Sequence, residues 1–298
     1  MEKFLSTRRS QDRVMPTGVK VTMRSLTGQH QALITQDDDV KRKTAIDEMI
    51  LDCIVRIGDK TDIQMSDVEG LLSNDRAWFL FQLRIFSNKQ SPDFLFDYEF
   101  PVDKGGKRRK QRYKVLFNKE DFPARPYYWV WEKMCSDYRD ANEMKATQEL
   151  TESDLDILHN QEYPEMFQMY SEMLAKYQKQ ELVLPDSEVK IQWTMTTGLS
   201  ERLHSERKGN ATRSSHDQLL LHNPKYWDDD ATKTWETAPI LPLNKLSNDD
   251  IEALREDIMK KEASIETSVV IQYKEQESVQ ANVNLITIPS FFFPSLAR

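Results

Sequence analysis

The sequence predicts an α+β protein: two diverged copies of a small strand–helix–helix–hairpin domain joined by a helical linker. Three observations carry this reading. Short stretches of apolar/polar alternation mark strands. Between them lie segments with apolar residues at helical three- and four-residue spacing. The same order of signals then occurs a second time, displaced by 170 to 175 residues.

In the first copy, Val19, Val21 and Met23 alternate with Lys20, Thr22 and Arg24, a half-buried strand that ends at the turn Thr27-Gly28. Asp37-Asp38-Asp39 suits a helix N-terminus. Ile46, Met49, Ile50, Cys53, Ile54 and Ile57 then predict a helix running up to Gly58. Ser66 with Glu69 reads as a capping box. Leu72-Ser73-Asn74-Asp75 opens a helix carrying Trp78, Phe79, Leu80, Phe81, Leu83, Ile85 and Phe86, apolar nearly all round and so expected at the centre of the domain. Phe94, Phe96 and Tyr98 form a strand, Gly105-Gly106 a turn, and Tyr113–Phe117 the returning strand of a hairpin that closes at Phe122-Pro123.

The second copy answers in order. Val189-Lys190-Ile191 and Thr197-Gly198 repeat Val19-Lys20-Val21 and Thr27-Gly28. Leu246-Ser247-Asn248-Asp249 repeats Leu72-Ser73-Asn74-Asp75 and opens a helix to Lys261, with Ile251, Leu254 and Ile258 on one face. Strands at Val269–Tyr273 and Val283–Ile288 match the first hairpin, and Phe293-Pro294 matches Phe122-Pro123. The predicted organisation is an N-terminal arm (1–13), a first domain (14–124), a helical linker (125–183) and a second domain (184–298). Within the linker, Tyr127-Tyr128-Trp129-Val130-Trp131 forms an aromatic knot, and Thr151 opens a capped helix. Met166, Phe167, Met169, Tyr170, Met173, Leu174 and Tyr177 suggest a further helix, whose Met-rich face reads first as core and second as an adaptable interface.

Composition narrows the function. Net charge is −8, from 49 acidic and 41 basic residues, a poor footprint for general phosphate binding. Only eight glycines occur, and none stands in a phosphate-cradling or nucleophile-elbow pattern. The five histidines and two cysteines show no metal-ligand spacing, so neither a metal site nor a cofactor is expected, and no catalytic residue emerges. Two cysteines cannot form a disulfide framework, which fits a reducing compartment. No export signal and no membrane span is expected. Asp37–Asp39 and Asp228–Asp230 read as helix capping and a solvated loop in preference to cation sites.

Contact residues are the remaining candidates. Lys104–Arg112 is a basic cluster expected at the hairpin tip, where Arg108 and Arg109 could meet an acidic partner or simply keep the turn solvated. Tyr127, Trp129 and Trp131 in the aromatic knot, with Phe291 and Phe292 near the end, are the apolar anchors on which interface energy would concentrate. The match of Phe293-Pro294 to Phe122-Pro123 favours folding back for at least Phe293.

Taken together, the opening strand, Leu26-Thr27-Gly28, the Leu-Ser-Asn-Asp cap, the helix ending Leu83-Arg84-Ile85-Phe86-Ser87 and the closing hairpin resemble the baseplate-hub and tail-assembly proteins of contractile-tailed bacteriophages. Leu246–Asp249 and Phe292-Phe293-Pro294 resemble the second part of longer members. The resemblance implies a protein acting by contact with other tail and baseplate proteins in the host cytoplasm. It would be either a component of the finished tail or a transient chaperone absent from it. It also implies cysteine pairs in the closing ribbons acting as zinc ligands. The corresponding stretches, Tyr98–Pro101 and Tyr273–Gln276, hold none, so packing by Tyr98 and Tyr273 is expected to replace them. A nucleic-acid-associated accessory protein using the basic hairpin tip is the reading from another class.

Overall fold

Met15 and Leu184, each fully buried, close two similar strand turns: the Met15 N–H donates to Val19 C=O (2.9 Å) and the Leu184 N–H to Val189 C=O (3.0 Å). Around these turns the two halves of the chain are built. The computed structural model describes residues 8–34, 39–87, 93–101, 108–116, 124–208, 215–229, 232, 234–273 and 276–293. The tip residues 104–107, Phe122-Pro123 and Pro294 lie outside this set.

In the first half, β1 (Ser10–Val14), β2 (Lys20–Arg24) and β3 (Ile54–Ile57) form an antiparallel sheet in the order β1-β2-β3. β1 begins inside the stretch that the sequence sets apart as an arm. Two helices, α1 (Gly28–Ile34) and α2 (Asp39–Cys53), connect β2 to β3. The helix predicted to reach Ile57 therefore stops at Cys53, and Ile54-Val55-Arg56-Ile57 turns into a strand. The register shifts between Thr22 and Met23, which lets Ile54 and Ile57, three residues apart, both stay buried. That spacing imitates a helix face. Gly58 ends β3 with φ +56°, and a Cβ there would lie 1.9 Å from the Gln168 carbonyl oxygen.

A short helix, α3 (Met65–Gly70), is capped by Gln64, whose N–H donates to Asp67 (2.8 Å), rather than by the Ser66–Glu69 pair. α4 (Ser73–Ser87) starts at the Leu-Ser-Asn-Asp block and buries Trp78, Phe79, Leu80, Phe81, Leu83 and Phe86 at the centre of the core, as its all-round apolarity requires. β4 (Asp93–Pro101) and β5 (Arg108–Leu116) make the hairpin. β5 starts earlier than predicted, so Arg108–Arg112 lie in a strand.

The middle segment holds β6 (Ala124–Arg125), α5 (Tyr128–Ala141), α6 (Glu152–His159) and α7 (Tyr170–Tyr177). Thr151 caps α6 as predicted, with reciprocal bonds to Asp154. Met166 and Phe167, expected in a helix, instead precede α7, and Phe167 forms a parallel bridge with Val19.

In the second half, β7 (Lys179–Val183) lies in the stretch assigned to the linker. It pairs with β8 (Lys190–Thr194), which pairs with β9 (Lys225–Tyr226). α8 (Gly198–Lys208) and α9 (Ser215–Leu220) stand between β8 and β9. α10 (Asn248–Lys261) is capped by Ser247, which accepts from the Asp250 N–H (3.2 Å). After β10 (Ser264–Ile265), the closing hairpin is β11 (Ser268–Tyr273) and β12 (Gln276–Asn284). The predicted strand to Ile288 thus ends at Asn284, and a helical turn, α11 (Pro289–Phe292), follows.

The architecture is a mixed α+β fold with several small antiparallel sheets. The first half runs β1, β2, α1, α2, β3, α3, α4 and the β4-β5 hairpin, and the second runs β7, β8, α8, α9, β9, α10, β10 and the β11-β12 hairpin. The halves interlock. Leu72 bridges Thr197, β6 pairs with β10, and one apolar core runs through both halves. No helix among the described residues is long and apolar enough to cross a membrane.

Candidate functional site

Most of the aromatic contact candidates turn out to build the interior. Tyr127 and Trp129 are 1% and 3% exposed. The Trp129 ring is stacked between Tyr127 (4.8 Å) and Tyr177 (4.4 Å), and its Nε1–H donates to Thr17 C=O (3.1 Å). Phe291 and Phe292 are fully buried, with Phe291 against Phe81 (5.2 Å) and edge-on to Phe94 (5.4 Å). Trp131 is partly buried and stacks on His159 (4.9 Å). The expectation that Tyr127, Trp129, Phe291 and Phe292 present a docking surface is corrected by this burial: water is excluded from these rings by the chain's own packing.

Arg108 and Arg109 are exposed on β5, and Arg109 lies 3.3 Å from the Tyr273 hydroxyl. Along one face of the hairpin, Arg108, Lys110, Arg112 and Lys114 stand across from Pro101, Glu99, Asp97 and Leu95. Asp97 accepts from Arg112 Nε (2.9 Å) and pairs with Lys110 (3.0 Å), and these bonds hold its carboxyl below the usual range. On the opposite face Tyr98 meets Phe100 edge-on (4.8 Å) and Phe100 lies tilted against Tyr273 (5.6 Å), joining the two closing hairpins. The Tyr113 hydroxyl adds a bond to Gln272 C=O (2.6 Å).

One cluster unites chemistry-bearing residues that the sequence keeps apart. His30 Nε2 lies 2.9 Å from Asp52 Oδ2 and 3.9 Å from Cys53 Sγ. His30 Nδ1 accepts from the Thr27 N–H (2.9 Å), which leaves the ring proton on Nε2, pointing at Asp52. A metal on Nε2 would need that proton moved to Nδ1, against a backbone donor. Both the thiol and the carboxylate approach the same ring nitrogen, so the base–orienter geometry of a nucleophilic relay is absent too. Arg8 fills the remaining space, bonding Asp52 (2.7 Å) and Ser25 C=O (2.7 Å), and burial pushes the Cys53 thiol up to about 12. The cluster clips the chain start to α2.

The site with open, organised surface lies in the second half. A cleft of about 740 Å³ is lined by Lys179, Glu188, Lys190, Trp227, Asp229 and Trp235, among others. Trp227 and Trp235 meet at 5.0 Å and 67°. Trp235 Nε1–H donates to Glu181 (2.8 Å), and Lys190, paired with the same carboxylate (2.8 Å), sits 5.6 Å over the Trp235 ring. Lys225 Nζ holds the loop by bonds to the carbonyls of Trp235 (2.9 Å) and Glu236 (2.8 Å). Lysines 179 and 190 are thus neutralised by Glu236 and Glu181, while the Glu188 and Asp229 carboxylates have no ion pair among the described residues. The cleft combines a pinned indole pair with surplus negative charge. Nothing periodic announces it. The available signal is two tryptophans eight positions apart in an irregular segment flanked by acids. Compared with protein-family models, curated proteins and solved structures, the chain finds no match.

Proposed function

We propose that this protein is a non-enzymatic component of a contractile bacteriophage tail, of the baseplate or hub, built by internal duplication and acting through protein–protein contacts. What carries the reading is the recurrence of one construction in both halves, around the residues that resemble the tail-assembly family. In each half a buried carboxylate on the first turn of the long helix ties down the turn before the central strand. Asp75 accepts from Thr17 Oγ1 (2.9 Å), and Asp250 accepts from the Asp186 N–H (2.9 Å). The closing hairpins join through Phe100, Tyr113 and Tyr273, a packing solution where the family pattern would place metal-binding cysteines.

Such a protein works in the host cytoplasm while tails are assembled, meeting other baseplate proteins there. Mass spectrometry of purified virions beside infected-cell lysate tests the reading. Presence in both supports a structural component. Presence in lysate alone supports the transient chaperone, and presence in neither removes the proposal. The nucleic-acid reading is disfavoured by Asp93, Asp97 and Glu99, which interleave acids with the β5 cations on the same hairpin face.

A further inference from the structure

We propose that the Trp227–Trp235 cleft is a docking site for an extended peptide segment of a partner protein that presents a lysine or arginine side chain. The inference deepens the contact-based reading above and rests on it.

The argument comes from what covers the corresponding place in the first half. There the turn residue Gly18, Val19 just before β2 and the strand residue Lys20 are overlaid by the chain's own segment 165–168. The Met166 N–H donates to Gly18 C=O (2.8 Å), Phe167 bridges Val19, and Glu165 pairs with Lys20 (2.9 Å). The Asp59 N–H then donates to Gln168 C=O (2.8 Å). In the first half, then, the occupant of this surface is an extended segment.

In the second half the matching residues are Glu188, Val189 and Lys190, and all three line the open cleft. The equivalence extends to the next strand. Gly58 donates its N–H to Lys20 C=O (2.7 Å), and Trp227 donates its N–H to Lys190 C=O (2.8 Å). So the two glycines over which the first-half segment passes closely are replaced by a glutamate and a tryptophan. A Cβ at Gly18 would lie 3.1 Å from Met166, and one at Gly58 1.9 Å from Gln168. The second-half surface cannot take a peptide backbone at that range. It offers side chains instead.

Those side chains define the guest. Glu188 holds φ +55°, the left-handed conformation of Gly18 (φ +80°), a position where glycine is the cheaper residue. Local strain kept at a cleft margin points to use. Glu188 and Asp229 bring carboxylates that have no ion pair among the described residues, and the indole pair brings aromatic surface of the kind that attracts cations, as Lys190 over the Trp235 ring (5.6 Å) already illustrates. Their combination selects lysine or arginine on an extended segment over an acidic or neutral guest.

The test titrates the full-length chain with a blocked nonapeptide of alternating proline and arginine, following tryptophan fluorescence at low ionic strength. An alternating proline–glutamate peptide and maltohexaose serve as comparison probes. The expected result is saturable binding of the arginine peptide only, weakened severalfold by Glu188→Gln and at least tenfold by Trp235→Ala. If Trp235→Ala does not fold, Glu188→Gln alone decides. No binding of the arginine peptide, binding unaffected by these variants, or preference for either comparison probe overturns the proposal. A chain found in virions whose cleft binds nothing loses the docking site and keeps the contact-based reading. A cleft that binds the arginine peptide in a chain absent from virion and lysate does the reverse.

Discussion

Gly18 and Glu188 hold the same left-handed turn in the two halves, with φ +80° and +55°, each one residue before the valine that leads into a central strand. Left-handed backbone costs an ordinary residue about 1–2 kcal/mol, and glycine avoids this at the expense of about 0.5–1 kcal/mol of chain entropy. The two sites should therefore respond oppositely. Gly18→Ala adds strain and presses a Cβ on Met166, so urea unfolding should show a loss of more than about 1 kcal/mol. Glu188→Gly should instead gain up to about 1 kcal/mol, because the relieved strain of about 1–2 kcal/mol exceeds the added chain freedom of about 0.5–1 kcal/mol. A marked loss at Glu188→Gly would mean that the glutamate is needed by the fold itself.

Trp129 fastens the middle segment to the first half. Its ring is sandwiched by Tyr127 and Tyr177, and its N–H is satisfied by Thr17 C=O inside the core. Trp129→Ala should cost about 3–5 kcal/mol, while Trp131→Ala, at a partly buried ring against His159, should cost distinctly less. Denaturant midpoints of the two variants check the ranking, and equal losses would contradict it.

How legible all this was in the sequence depends on the range of the interaction. The α6 cap at Thr151, the Leu-Ser-Asn-Asp start of α4 and the aromatic strand Phe94–Tyr98 are local patterns, and they stand where the spacing puts them. Ile54–Ile57 misled because a register shift in the neighbouring strand, invisible locally, allows helix-like spacing in a strand. The aromatic knot announced apolar burial without saying against what; Trp129 faces Thr17, 112 residues away. The cleft was illegible for a related reason. Trp227 and Trp235 are brought together by an irregular loop that Lys225 closes, and Glu188 adopts a glycine conformation without a glycine to signal it.

A buried carboxyl should make stability depend on pH. Asp75 is fully buried, with Oδ2 bonded to Thr17 and Tyr170 and Oδ1 unpartnered, and burial pushes it up to about 7. Glu262 is pushed up to about 7 by the same cause. In the window from about 4 to 7 the folded chain keeps protons that the unfolded chain releases, so each group's contribution to stability falls as pH rises through that window. His222, lowered to about 4 by burial, works the other way below its ordinary value of 6.5, and partly offsets them. Asp75→Asn removes one titration while keeping an acceptor for Thr17 and Tyr170. Its unfolding free energy relative to the parent chain should therefore improve steadily between pH 4 and 7. A difference that does not change with pH would show that Asp75 is ionised throughout.

Phe291 packs the end of the second half into the core of the first. It comes from the last helical turn of the second half yet lies against Phe81 and Phe94 of the first, with the Arg84 guanidinium 5.8 Å over its ring. Removing such a ring leaves a cavity and strips contacts from both partners, so Phe291→Ala should cost about 3–5 kcal/mol. The loss should appear in both halves. Trp78 reports on the first and Trp193, bonded to Asp257 (2.8 Å), on the second, so their separate 19F resonances after 5-fluorotryptophan incorporation follow each half with every tryptophan in place. Coincident urea transitions for the two probes, shifted together by Phe291→Ala, are the expected result. If the Trp193 transition stays in place while the Trp78 transition moves, the halves unfold independently and the interlock at Phe291 is local.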